Sequence, residues 1–368
     1  MKVITLRDTL SAALGLVERA SGSGAQLPAL KNVLIETEGD LLILTATNLE
    51  LAVRATVPSK VNDHGKVAVP TALFSSLVSA LTGERVTLQA EGSGLAITTD
   101  HYEGTLAGAP IDDFPSIPTR GADAKLITVP GALLREALGR VSFAAQGAAD
   151  FSPELASVLV TTEAGVLRLV ATDSFRLAEA TVDGAVLPDE PVRALVPARV
   201  ASELARVLRD DEDVACYFET HQATFETSRW MLTTRLIAAN FPDYEQIIPK
   251  DFLVEVTMDR DALTAALKLA SVFAAKGSEI TLSAKSDGEN AELAISAGSD
   301  AVGAHTASVP AHISRAFESV TFNWRQLSDG LRVIPTERVT LGINIDKPAL
   351  MHGAGESSYR YVIAPLVS

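Results

Sequence analysis

Phe175, Arg176 and Leu177 place an aromatic ring, a cation and an aliphatic side chain within the run GVLRLVATDSFRLAEATV, residues 165–182. They stand at a bend where a merely structural turn favours small polar residues. The chemistry this trio offers is noncovalent capture of a partner. Covalent chemistry finds no comparable constellation. The six histidines, at 64, 101, 221, 305, 312 and 352, form no HExxH or HxH pattern and do not pair with the single cysteine, so no metal site is expected. Cys216, in VACYFE, reads as a buried core thiol, and one cysteine excludes an intrachain disulfide. The glycine clusters at Ser21 and Gly353 lack a Walker lysine and the GxGxxG spacing, no GxSxG elbow occurs, and Asp210 to Asp213 reads as a solvated turn after a helix. No catalysis and no cofactor are expected.

The elements that must carry the bend are two strands: Val166 to Ala171 leads in, Asp173-Ser174 turns, and Leu177 to Val182 returns. This hairpin recurs. LLILTATNLELAVRATV at Leu41 repeats it with Thr47 and Thr172 separated by 125, and AELAISAGSDAVGAHTASV at Ala291 is a third copy. TLRDTLSAAL, TVPGALLREAL and TMDRDALTAAL recur as a strand end followed by helix-period apolar residues. VAVPTALFSSLVSALTGERVTL, ALVPARVASELARVLRDDEDVACY and VTFNWRQLSDGLRVIPTERVTL form another set. Pro70 and Pro197 are 127 apart, as are Phe114-Pro115 and Phe241-Pro242.

Each unit therefore reads strand, helix and three strands, twice over. Pro70 and Pro197 suit the first helical turn and Asn323 an N-cap. Extended connectors place domain boundaries at 1–122, 123–251 and 252–368, and the apolar Phe241, Tyr244, Ile247 and Ile248 predict that the second connector packs against its neighbours.

A chain of 368 residues with 47% hydrophobic and 21% charged residues is globular. With Arg7 and Asp8 near its start and no apolar run of about 18 residues, it reads as soluble and cytoplasmic, with no membrane partner. The net charge of -15 argues against a general nucleic-acid coat. The helical segments 6–19, 71–82, 130–141, 198–209, 260–276 and 324–333 nevertheless sum to +6, leaving -21 elsewhere. Arg135, Arg140, Arg199, Arg206, Arg209, Arg260, Lys268, Lys276, Arg325 and Arg332 carry this excess. It predicts a helix surface facing a polyanion through sequence-independent phosphate contacts.

A triplicated unit of this length with ATDSFRLA, NFPDYEQIIPK and a terminal YVIAPL resembles the bacterial sliding clamps, the β subunits of DNA polymerase III, over the whole chain. ATDSFRLA is similar to that family's ATDG[HY]RLA. The resemblance implies an α+β fold of three clamp domains, each of two β-α-β-β-β halves, in a head-to-tail homodimeric ring. Helices would line the hole and sheets the rim. It implies a non-catalytic processivity factor on double-stranded DNA, with the polymerase III catalytic subunit, a clamp loader and other clamp-binding-motif proteins as partners.

The family's peptide cleft carries over to Leu155, Thr172, Ser174, Phe175, Arg176 and Leu177, to Pro242, Gln246 and Ile247 in the connector, and to Val362, Ala364, Pro365 and Leu366 in the tail. Its dimer seam carries over to Leu106, Val272 and Phe273 with paired edge strands. The chain departs from the family at Ala364, where methionine is usual, and at Gly104, where a large residue is usual. It departs again in 151–157, and by the lack of a loop arginine near Gly24. An adaptor that binds peptides without encircling DNA is the alternative.

Overall fold

The computed structural model describes residues 1–22, 27–145, 152–274, 278–299, 303–345 and 347–366. The first repeat runs β1 (Lys2–Leu6), α1 (Arg7–Val17), β2 (Asn32–Glu38), β3 (Leu41–Thr47), β4 (Leu51–Asp63), β5 (Lys66–Pro70), α2 (Thr71–Ala80), β6 (Arg85–Glu91), β7 (Gly94–Thr99) and β8 (Tyr102–Leu106). The second runs β9 (Lys125–Pro130), α3 (Gly131–Val141), β10 (Ser157–Thr161), β11 (Leu167–Thr172), β12 (Arg176–Val182), β13 (Arg193–Pro197), α4 (Ala198–Val207), β14 (Asp213–Phe218), β15 (Gln222–Glu226) and β16 (Trp230–Arg235). The third runs β17 (Val254–Asp259), α5 (Arg260–Phe273), β18 (Glu279–Ala284), β19 (Gly288–Ser299), β20 (Gly303–Ile313), β21 (Phe317–Asn323), α6 (Trp324–Arg332), β22 (Arg338–Ile343), β23 (Ala349–Gly353) and β24 (Tyr359–Ile363). Every repeat is β-α-β-β-β written twice, and the fold is α+β.

Pairing of these strands is antiparallel, and it runs through the repeats rather than stopping at them. One sheet joins β4 to β16, from Trp230 opposite Ala55 to Thr234 opposite Leu51. The other joins β12 to β24, from Arg176 opposite Ile363 to Ala180 opposite Tyr359. The second repeat is thereby shared, and the chain groups into two compact units. One is 1–131 with 186–190 and 207–236, and the other is 132–185 with 191–206 and 237–368.

Helix position follows from side-chain period. Leu10, Ala13, Leu14 and Val17 of α1 form one apolar stripe laid on β3 and β4, and α2 packs beside it. Leu263, Ala266, Leu267 and Ala270 of α5 do the same on β19 and β20, beside α6. Asn323 caps α6 by accepting a hydrogen bond from the Arg325 amide at 3.0 Å, and Asp259 caps α5 from the Ala262 amide at 2.7 Å. Pro70 and Pro197 end β5 and β13, one residue before the helical turn expected for them. At this junction residue too, a missing donor costs no intrahelical bond. Of the apolar connector residues, Phe241, Tyr244 and Ile248 are buried, whereas Ile247 points outward and is 44% exposed.

Candidate functional site

The bend between β11 and β12 is built by short side chains that bond to its own backbone. Thr172 Oγ1 donates to the Arg176 carbonyl at 2.7 Å, and Asp173 Oδ1 accepts from the Phe175 and Arg176 amides, both at 3.0 Å. Ser174 takes a left-handed φ of 75°, a conformation that costs an L-residue energy and here turns the chain so that Phe175 stands 64% exposed.

Leu177 and Val362 face each other across the β12–β24 pair and are both 2% exposed. They belong to a cluster with Leu159, Val170, Leu195, Phe241, Tyr244, Ile248 and Leu350. They form a floor beneath the surface, and Thr172 is buried as well. Around this floor Pro242, Gln246 and Ile247 are exposed and Leu155, Ala364, Pro365 and Leu366 are half-buried. The tail is fixed by Ala364 N–H donating to the Phe175 carbonyl at 2.8 Å and Leu366 N–H to the Thr321 carbonyl at 2.8 Å. The four segments named in the sequence thus meet in one compact unit. Residue 151 lies outside the described residues.

Arg176 does something other than line this surface. Its guanidinium turns inward, bonding Asp173 Oδ2 at 2.9 Å, Asp329 Oδ2 of α6 at 2.7 Å and the Phe143 carbonyl at 3.2 Å. Burial works against its charge, but Tyr361, Asp329 and Asp173 more than compensate and its pKa is raised. Asp329 and Phe143 went unnoticed in the sequence because they lie 153 and 33 positions away.

The helix cations divide. Arg135, Arg199, Arg206, Arg209, Lys268, Arg325 and Arg332 are exposed and Arg260 is half-buried against Asp261 and the Ile334 carbonyl. Arg140 is a correction: only 8% exposed, it pairs with Glu136 at 2.7 Å and Glu356 at 2.6 Å, so its charge is neutralised internally. Lys276 lies outside the described residues.

Of the strand edges open among the described residues, two carry the residues expected at the seam. β8 pairs with β7 alone and carries Leu106, 9% exposed; the exposed Tyr102 ring lies over Gly104 and would have to swing aside to admit a side chain there. On β20, residues 303–309 pair with β19, while β17 reaches only as far as Ala311 on the other side. Beside this edge Val272 is 73% exposed and Phe273 stacks on His305, with ring centroids 5.1 Å apart.

Cys216 lies buried in β14, and burial pushes its thiol well above the usual range. Among the described residues no group of three or more His, Cys, Asp or Glu is placed to hold a metal, and no helix is long and apolar enough to cross a membrane.

Residues 1–118, 128–243 and 245–367 match the models of the N-terminal, central and C-terminal domains of the DNA polymerase III beta subunit. The chain is 30% identical to the beta sliding clamp of Synechocystis sp. over 100% of its own length and 99% of that protein, and 29% identical to that of Synechococcus elongatus with the same coverage. Among solved structures it resembles the DNA polymerase III subunit beta of Pseudomonas aeruginosa, with a TM-score of 0.93, 28% identity and full coverage of both chains. It resembles the griselimycin-bound sliding clamp of the same organism with a TM-score of 0.94, 27% identity and the same coverage.

Proposed function

The chain belongs to the DNA polymerase III β-subunit family, the bacterial sliding clamps, and from that premise we propose that two copies close head to tail into a ring around double-stranded DNA. The ring acts as a non-catalytic processivity factor in the cytoplasm. Each copy contributes three clamp domains, 1–122, 123–251 and 252–368. The open edge of β8 with Leu106 meets the 303–309 edge of β20 flanked by Val272 and Phe273, since unpaired strand edges are templates for pairing with another chain.

The exposed helix cations, foremost Arg135, Arg199, Arg206, Arg209, Lys268, Arg325 and Arg332, face the DNA. In a chain of net charge -15 they supply a local positive surface, and contacts to phosphate alone leave the ring free to move along any sequence. No ATP site is visible in the sequence, so a loader must open the ring.

Polymerase III and other partners dock through short apolar peptides at Phe175, Pro242, Gln246, Ile247 and the tail Ala364 to Leu366. The observation that carries this reading is the convergence of four sequence-distant segments around an exposed, braced Phe175 over a buried Leu177–Val362 floor. Such a rim suits extended peptides anchored by Leu and Phe. Fluorescence anisotropy of a labelled Gln-Leu-x-Leu-Phe peptide tests it. Saturable binding, lost in Phe175→Ala combined with Ile247→Glu, is expected; unchanged binding by that variant would refute it.

A further inference from the structure

The β4–β16 junction repeats the register of the β12–β24 junction, with a smaller side chain at one central position, Ala52 for Leu177, and polar near-isosteres at others. Ala52 opposite Thr233 occupies the place of Leu177 opposite Val362. Thr45 stands where Val170 does, and Ile117 where Tyr244 does. Leu177 and Tyr244 fill space in one junction that Ala52 and Ile117 leave open in the other. A cavity of about 550 Å³ lies between the sheet at Ala52, Thr45 and Thr233 and the connector at Phe114 and Ile117. A second, of about 620 Å³, continues it past Ala52 and Thr233 towards Leu49. Volumes of this size are those of ordinary ligand sites. Phe114 and Ile117 are left half-buried, whereas Phe241 and Tyr244 are buried.

The bend overlooking this groove is a copy of the Phe175 bend. Asn48 Oδ1 accepts from the Glu50 and Leu51 amides at 3.0 and 2.8 Å, and Thr47 Oγ1 donates to the Leu51 carbonyl at 2.9 Å. Leu49 takes a left-handed φ of 76° and stands 50% exposed. A bulky leucine in that conformation is strained as well as wet, and strain of this kind gathers at binding sites.

Two features say what fills the groove. The Ser116 and Ile117 amides have no hydrogen-bond partner among the described residues, so the connector backbone has donors available to a second chain. The first cavity carries three cations, Arg54, Lys66 and Arg120, against the carboxylates Glu36 and Glu226. Arg54 is paired with Glu38 and Arg120 with Glu226, while exposed Lys66, opposite Glu36 across the β2–β5 pair, forms no ion pair within 4 Å among the described residues. We propose that this groove is a second peptide site. It takes an extended segment whose leucine-sized anchor enters over Ala52 and Thr233 and whose acidic residue meets Lys66. The inference goes beyond the docking surface around Phe175 and stands if that reading fails.

The test uses the full chain and a panel of fluorescein-labelled hexapeptides carrying Leu-Leu, Leu-Ile or Leu-Phe next to Asp. At least one is expected to bind saturably. Ala52→Leu, which refills the cavity as Leu177 does, should weaken that binding at least tenfold. Lys66→Glu, at an exposed position opposite Glu36, should weaken it several-fold. Phe175→Ala combined with Ile247→Glu should leave it unchanged. The Met231 methyl, which lines the first cavity, should shift in NMR spectra on titration. Absence of binding across the panel, or binding abolished by the Phe175/Ile247 variant and indifferent to Ala52→Leu and Lys66→Glu, would overturn the proposal.

Discussion

Replacing Arg176 with alanine should loosen the bend that holds Phe175 without touching any exposed atom of the docking rim. The side chain is 10% exposed and bridges Asp173, 14% exposed, and Asp329, 31% exposed. Its removal leaves two carboxylates facing an emptied space and the Phe143 carbonyl without its donor. A charge-assisted hydrogen bond is worth about 1.5–3 kcal/mol and breaking a buried pair costs about 3–5 kcal/mol. Partial exposure of Asp329 lets water repair part of this, so we expect a loss of about 2–4 kcal/mol, concentrated in 173–177 and α6. Hydrogen exchange should report it as faster exchange of the Phe175 and Arg176 amides, and Gln-Leu-x-Leu-Phe peptides should bind about tenfold more weakly. Arg176→Lys should not rescue, because a point charge cannot hold both carboxylates and a carbonyl in one plane. Adding Asp173→Asn and Asp329→Asn to Arg176→Ala should recover part of the stability. Unchanged exchange in Arg176→Ala, with full loss of peptide binding, would mean that Arg176 acts on the peptide directly.

Glu179, 2% exposed, is paired across the β12–β24 strands with Arg360. Arg360→Met should cost about 3 kcal/mol by stranding a buried carboxylate, and Glu179→Gln in the same chain should restore most of it in denaturant titrations. Burial first of all, then nearby carboxylates and tyrosines, raises Tyr244, Tyr359 and Tyr361 above their ordinary value near 10. Above pH 10 the unfolded chain loses these protons and the folded chain keeps them. Stability is therefore full below pH 10 and falls as pH rises beyond it, visible as tyrosinate absorbance appearing together with loss of structure. Lys268→Glu with Arg332→Glu should weaken DNA binding uniformly across sequences and flatten its salt dependence, by about one unit of slope for each phosphate that is no longer neutralised. A sequence-selective effect would contradict a phosphate-only surface.

Period and repetition carried most of the fold. Alternation in 165–182 and helical spacing in 257–267 are local signals, and the agreement of several registers at about 125–127 residues multiplied them into β-α-β-β-β halves. The bend was legible too, because Thr, Asp and Phe at fixed offsets have local bonding partners. What stayed hidden depends on distant residues. Nothing near Arg176 announces Asp329, and nothing near Arg140 announces Glu356, so an inward-facing arginine looked the same as an outward one. Leu177 and Ile247 were interchangeable as apolar site candidates until the sheet buried the first and the connector's turn exposed the second. The continuation of each sheet across repeats was equally silent, because cross-strand pairs such as Met231 with Arg54 obey no sequence motif.

The central claim is that the protein encircles DNA, and topology tests it more directly than affinity. The full-length protein would be loaded by a bacterial clamp loader with ATP onto a nicked circular plasmid, washed at about 0.5 M salt, and followed after the plasmid is cut once. The ring account predicts retention on the circle, where salt screens the phosphate contacts but cannot open the ring, and release within minutes from the linear ends. Equal loss from circular and linear DNA would show that the protein is held by contacts alone and contradict the account.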